Sequence, residues 1–320
     1  MAMPFPSGHA VLDLVAKAPF VLRQALLGTA YLMVPRRLSG LLPLAAVTLR
    51  DLPRVGRALI PEPSDALERP DGLCGLAGRI GVAELLEGYR RGMFVMSHIG
   101  PLKWWAPRHR MVLFFDKTHV EKNTRRLLRA NRFRITFDRA FADVMRACAR
   151  PRPGGTPLTW ITPRIQSLFE EAHALGHAHS VEVWEGETLV GGVYGLAVGR
   201  VFFTESQFHT ARDASKVGFA VLNRHLQAWG FAFNDGKHPT RYLADSGMLP
   251  VTRDEFSRLT RCYCSQPGPV GRWSVDPRLV DDRWQPSEAE GVQMEHILPG
   301  GSSCLWSVEE LLTTKRSCTW

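Results

Sequence analysis

The chain has six cysteines in 320 residues but no pair spaced as Cys-x-x-Cys. A structural zinc site is therefore not expected, and Cys262-x-Cys264 alone reads as two thiols beside a loop. No metal and no cofactor are expected. Long uncharged runs are also missing. Gln24–Pro35 and Leu38–Leu49 carry no charge, but both fall short of the roughly 20 residues that a membrane-spanning helix needs. No basic flank precedes an apolar run at the N-terminus and no cleavage site is clear, so a reducing cytoplasm is the expected setting. There is no internal repeat. There is also no Arg/Gln-x-x-Gly-x-Gly loop of the kind that would cradle a pyrophosphate.

Acidic residues are scarce in one stretch. Between Lys103 and Arg152 fourteen lysines and arginines face only Asp116, Glu121, Asp138 and Asp143. The whole chain has a net charge of +9, so this segment accounts for all of the excess. Such a strip can replace the counterions around phosphates, although a solvated helix face is the plain alternative. Hydrophobic residues make up 45% of the chain, enough for a packed core.

Residues 1–57 form an apolar, basic, proline-punctuated extension, suited to lying on a membrane surface or on the protein's own body. A small N-terminal α+β unit is expected over 58–115, a catalytic domain over 116–262 and a loop-rich tail over 263–320. Val82–Arg91 is helix-like and stops at Gly92. Asp138 is placed to cap a helix carrying Phe141, Val144 and Met145, and Thr162-Pro163 starts another. Ser180–Trp184, Leu189–Gly195 and Val201–Phe208 read as strands joined by tight turns. A helix with the stripe Phe219, Leu222, Leu226 and Trp229 follows, then a strand Phe231–Asn234. The order predicts an α/β domain with a mixed, mainly antiparallel sheet and flanking helices.

Several motifs stand in a fixed order: Gly88-Tyr-Arg-Arg-Gly-Met-Phe94, Trp104-Trp-Ala-Pro107, Thr159-Trp-Ile-Thr162, His177-Ala-His-Ser-Val-Glu-Val-Trp184, Val190-Gly-Gly-Val-Tyr-Gly195, Glu205-Ser-Gln-Phe208 and Ala214-Ser-Lys216. Together they resemble the bacterial leucyl/phenylalanyl-tRNA–protein transferases over roughly Glu62 to Thr260. The resemblance implies an acetyltransferase-like (GNAT-type) fold. It also implies transfer of a Leu- or Phe-like residue from aminoacyl-tRNA to the N-terminal amine of a protein with a basic first residue, as in N-degron degradation. A monomer is expected. Two alternatives stay open: an impaired paralogue that binds tRNA or degrons, and an acyltransferase of the same fold using another donor.

The same resemblance assigns roles to residues. Asp235 and Lys237 stand where the family has the Asp and Gln of Asp-Cys-Gln, and with Glu205 they are the expected catalytic set. Trp160 would stack on the terminal adenosine. Gln207 and Val193 stand at pocket methionines, and Met96 replaces a tryptophan. Thr204 stands at a glycine. Ser206 and Phe208 complete the substrate-binding set. Lys122, Arg125, Arg126 and Arg129 are the expected tRNA-binding residues. His177 and His179 are expected to be structural rather than metal ligands.

Overall fold

The computed structural model describes residues 22, 26–29, 33–98, 100–115, 118–151 and 158–280. Much of the run Gln24–Pro35 and all of the tail beyond Val280 lie outside the described residues. The elements are α1 (Leu41–Asp51), β1 (Leu73–Leu76), α2 (Val82–Arg90), β2 (Phe94–Met96), β3 (Lys103–Trp105) and β4 (His109–Phe114). Next come α3 (Lys122–Arg129), β5 (Arg134–Phe137), α4 (Phe141–Ala149), α5 (Pro163–Ala174), β6 (Ala178–Glu185), β7 (Thr188–Val198) and β8 (Val201–His209). The order ends with α6 (Ala214–Ala228), β9 (Phe233–Lys237), α7 (Arg241–Asp245), β10 (Leu249–Thr252), α8 (Arg253–Tyr263) and α9 (Pro277–Val280).

Two sheets result, a three-stranded β1-β3-β2 sheet and a seven-stranded β10-β4-β9-β8-β7-β6-β5 sheet. Among the named strands only β8 and β9 pair in parallel. The expected mixed, mainly antiparallel α/β architecture is therefore present. Strand β4 falls within the small unit by the expected boundary at 115, yet it pairs with β9 and β10 in the larger sheet.

Helices cover both faces of the large sheet, which is why β7 is apolar almost throughout instead of alternating. On one face Tyr194, Phe203 and Leu196 pack with Val144 and Met145 of α4 and Phe169 of α5, in a core continuous with the small sheet. On the other face Val181, Val193 and Phe202 pack with Val217, Val221 and Leu226 of α6. Each such side chain contributes about 1.5–3 kcal/mol when fully buried.

Local signals account for some of the helix ends. The Thr162 side chain accepts from Ile165 N, and Pro163 occupies the first turn of α5, where its missing N–H costs nothing. Gly92, at φ +87°, closes the turn after α2. Asp138 does not cap α4. It sits at φ +56° and its carboxylate is already taken by His179 Nδ1, Ser180 N and Trp273 N. His179 stacks on Trp273 with ring centroids 3.6 Å apart.

The segment after Tyr263 also has a structural role. Arg224 donates to Leu279 O, and Asp276 N donates to His225 Nε2. The tail thus packs against α6. That contact helps to bury Arg224 and His225, while Asn223 is buried against β9, where it accepts from Asn234 Nδ2.

Candidate active site

The site lies where the large sheet opens. Strands β8 and β9 pair only from Val201 to Phe203 and from Phe233 to Asp235. Each strand then breaks register against its outer neighbour. The β7–β8 pairing shifts between Tyr194 and Gly195, which leaves Glu205 as an extra residue. The β4–β9 pairing shifts between Met111 and Val112, which leaves Gly236 extra. A bulge bends its strand and redirects the side chains beside it. Two bulges on neighbouring strands therefore open one gap at one level of the sheet.

Lys237 bridges that gap. It adopts φ +63°, and its Nζ lies 2.7 Å from both Thr204 O and Glu205 Oε1. Tyr89 donates from its hydroxyl to the same Glu205 oxygen at 2.7 Å. Glu205 Oε2 accepts no hydrogen bond among the described residues. Burial pushes the Glu205 carboxyl up, against the lowering pull of Lys237. Burial pushes the Lys237 ammonium down, against the raising pull of Glu205. The two shifts bring a proton donor and a proton acceptor towards each other inside one buried pair. Phe94 covers the pair, with its ring 5.5 Å from Lys237 Nζ.

Above this floor is an open cleft of about 1590 Å³. Trp160, Met96, Ser206, Gln207 and Phe208 line it together with Glu205 and Lys237. The expected substrate-binding residues therefore converge, with one exception. Val193 is fully buried behind the wall, opposite Gln207 in the β7–β8 pairing. Gln207 lines the cleft beside Tyr242, and its Oε1 is buried without a partner among the described residues. Thr204 Oγ1 donates to Asn234 Oδ1, so its hydroxyl has a partner inside the sheet.

Asp235 does not line the cleft. It lies beneath the floor with no exposed surface, in a two-pronged ion pair with Arg110, and its Oδ1 also accepts from Lys237 N. Three donors occupy the carboxylate, so no oxygen of it is directed at an incoming amine. It positions the Lys237 turn instead.

Lys122, Arg125, Arg126 and Arg129 are exposed on α3, outside the cleft, while Thr124, Leu127 and Leu128 face inward. The start of this helix is tied to the cleft mouth, because Asn123 donates to Asp213 and Glu121 pairs with Lys216 at 2.7 Å. Asp213 and Lys216 line the cleft, as do Arg146, Arg150 and Arg212. The basic helix and the basic rim thus meet at the entrance.

Sequence reasoning missed Tyr89, Phe94 and Arg110 as site residues. The first two lie inside the motif Gly88–Phe94, but nothing local indicated that they reach Glu205 and Lys237 from 116 or more residues away. Arg110 looked like one base among fourteen.

Comparison with known proteins points to one family. A family model described as leucyl/phenylalanyl-tRNA protein transferase matches residues 112–261. The leucyl/phenylalanyl-tRNA–protein transferase of Pseudomonas syringae pv. syringae (strain B728a) is 44% identical over 203 residues, 63% of this chain and 88% of the relative. That of Azotobacter vinelandii (strain DJ) is 46% identical over 193 residues, 60% of this chain and 85% of the relative. That of Aromatoleum aromaticum is 46% identical over 224 residues, 69% of this chain and 93% of the relative.

Proposed function

The chain belongs to the leucyl/phenylalanyl-tRNA–protein transferase family, and from that premise we propose that it moves a leucine or phenylalanine from charged tRNA to the N-terminal amine of a protein in the cleft above Glu205 and Lys237. The observation that carries this reading is the Glu205 carboxylate at the cleft floor. One of its oxygens is held by Tyr89 and Lys237, and the other is buried and accepts no hydrogen bond among the described residues.

In the proposed reaction the acceptor amine attacks the ester carbonyl of the aminoacyl group. A C–N bond forms, the C–O bond to the ribose breaks, the amine gives up a proton and the ribose oxygen takes one. Glu205 Oε2 receives the amine proton, a role suited to a carboxyl whose pKa burial has raised. Lys237, at the cleft floor, is the cation assigned to the developing oxyanion, in a site partly shielded from water. Trp160 offers an indole face to the terminal adenosine, and Gln207, Met96, Ser206 and Phe208 shape the acyl and acceptor pockets. Arg125, Arg126 and Arg129, with Lys122, meet the tRNA backbone. A basic first residue is the proposed preference of the acceptor, attracted by Glu205. A cytoplasmic setting goes with a charged-tRNA substrate, and no described helix is long and apolar enough to cross a membrane.

We also propose that the large sheet is of the acetyltransferase type. The support is its one parallel pair, β8–β9, which separates after three residues to make room for the site.

The test is transfer of labelled Leu or Phe from charged tRNA to peptides beginning with Arg or Lys. Wild type should transfer, and Glu205→Gln should lose about 10²-fold in kcat while still binding charged tRNA. Salt-sensitive tRNA binding with no transfer by wild type would replace this reading with a binding role.

A further inference from the structure

The outer side of α1 is uncovered in the described structure. Its inner side is anchored to β1. Asp51 Oδ2 accepts from Leu76 N at 2.9 Å, Arg50 Nη2 donates to Cys74 O at 3.2 Å, and Val47 enters the core. The opposite side presents Leu38, Leu42, Ala45, Leu49 and Leu52, spaced alternately four and three residues apart. At 3.6 residues per turn that spacing keeps them on one strip, which runs from the 3₁₀ turn Pro35–Gly40 to the one at Leu52–Arg54. Leu42 is 83% exposed and Leu49 70%, and Met33 at the head of the segment is 63% exposed. Leucines grouped in this way mark a contact surface, whereas scattered ones do not.

Charge selects the partner. From Met33 to Arg57 the bases are Arg36, Arg37, Arg50, Arg54 and Arg57, and the one acid is Asp51. Asp51 is buried and engaged, so it presents no negative charge outward. Arg54 and Arg57 are exposed just past the strip. A second copy of the chain would set this basic segment against itself, whereas anionic headgroups would be attracted to it. We propose that α1 is a peripheral membrane contact. Its leucine strip enters the headgroup boundary of an anionic bilayer while Arg54 and Arg57 meet lipid phosphates. This contact is independent of the transfer chemistry.

The test is co-sedimentation of the full chain with vesicles of phosphatidylcholine alone and of phosphatidylcholine mixed with phosphatidylglycerol. Binding is expected to the mixed vesicles and should weaken with added salt. The double variant Leu42→Ser/Leu49→Ser should bind about tenfold or more weakly, since it removes two large apolar groups from the contact. Because both side chains are largely exposed, its melting temperature should match wild type, which separates lost binding from lost folding. No association of wild type with anionic vesicles would overturn the proposal, as would equal binding by the double variant. Light scattering that shows a dimer broken by the same double variant, without vesicle binding, would assign the strip to a second copy instead.

Discussion

Arg110 holds Asp235 through two hydrogen bonds, 3.1 Å from Nε to Oδ1 and 2.5 Å from Nη2 to Oδ2, with both side chains sealed from solvent. The third guanidinium nitrogen donates to Gly92 O, and the cation lies over the Phe256 ring at 4.2 Å. The pair therefore ties the small unit, β4 and β9 together beneath the site.

Breaking this pair on one side should unfold more than it inactivates. Asp235→Asn leaves a buried guanidinium without its counter-charge, a change that costs about 3–5 kcal/mol. Denaturant melts should show that loss. At a temperature where the variant is still folded, transfer should fall far less than in Glu205→Gln. A larger loss of turnover than Glu205→Gln, with unchanged stability, would return Asp235 to the role of base.

How far the sequence revealed the site depends on the range of each interaction. Motif order placed Trp160, Glu205, Ser206, Gln207, Phe208 and Lys237 together, because each follows a strand or turn whose local pattern is readable. It misplaced Asp235, because a carboxylate at a strand end looks the same whether it faces a cleft or an arginine. The deciding residue, Arg110, is 125 positions away. The bulges at Glu205 and Gly236 left no local mark either, since a shifted register appears only when a strand is set against its neighbour. Two elements had weak signals of their own. β10 is four residues long, and the tail is held by its contacts to Arg224 and His225 and by one buried indole, Trp273, set among Phe137, His179, Phe202, Trp229 and Phe231, not by an apolar period.

Lys103 makes stability depend on pH. Burial lowers its pKa from 10.5 to about 8, and its Nζ donates to Ser97 Oγ and Pro101 O. Between those two values the unfolded chain holds a proton that the native chain has released, so stability rises with pH across the window and is flat below it. From pH 8 to 9.5 wild type should gain about 1.5 kcal/mol relative to Lys103→Met. Urea melts of both proteins at the two pH values give the difference. Equal pH dependence in the two proteins would show that Lys103 keeps its proton.

Trp160 should act on the donor and not on the acceptor. Its indole forms part of the cleft wall and is only partly packed into the core. Loss of one base-stacking ring costs about 1–3 kcal/mol. Trp160→Ala should therefore raise KM for charged tRNA roughly 10- to 100-fold, with KM for the acceptor peptide unchanged, and Trp160→Phe should recover most of the loss. An increase confined to the peptide KM would place the indole in the acceptor site.

Lys237 should blunt selection among acceptors. Its ammonium already neutralises Glu205 at 2.7 Å, so an arriving arginine or lysine side chain meets a floor of little net charge. Lys237→Gln removes the cation and leaves a neutral donor for Glu205 Oε1. The discrimination between Arg-starting and Met-starting peptides, read as a ratio of kcat/KM, should then rise about tenfold, the effect of some 1.4 kcal/mol of restored attraction. The same change should lower the maximal rate if the Lys237 cation stabilises the oxyanion. The two effects separate cleanly, because the first appears as a ratio between peptides and the second as a common factor on both. A ratio unchanged in the variant would mean that Glu205 does not meet the acceptor's first residue.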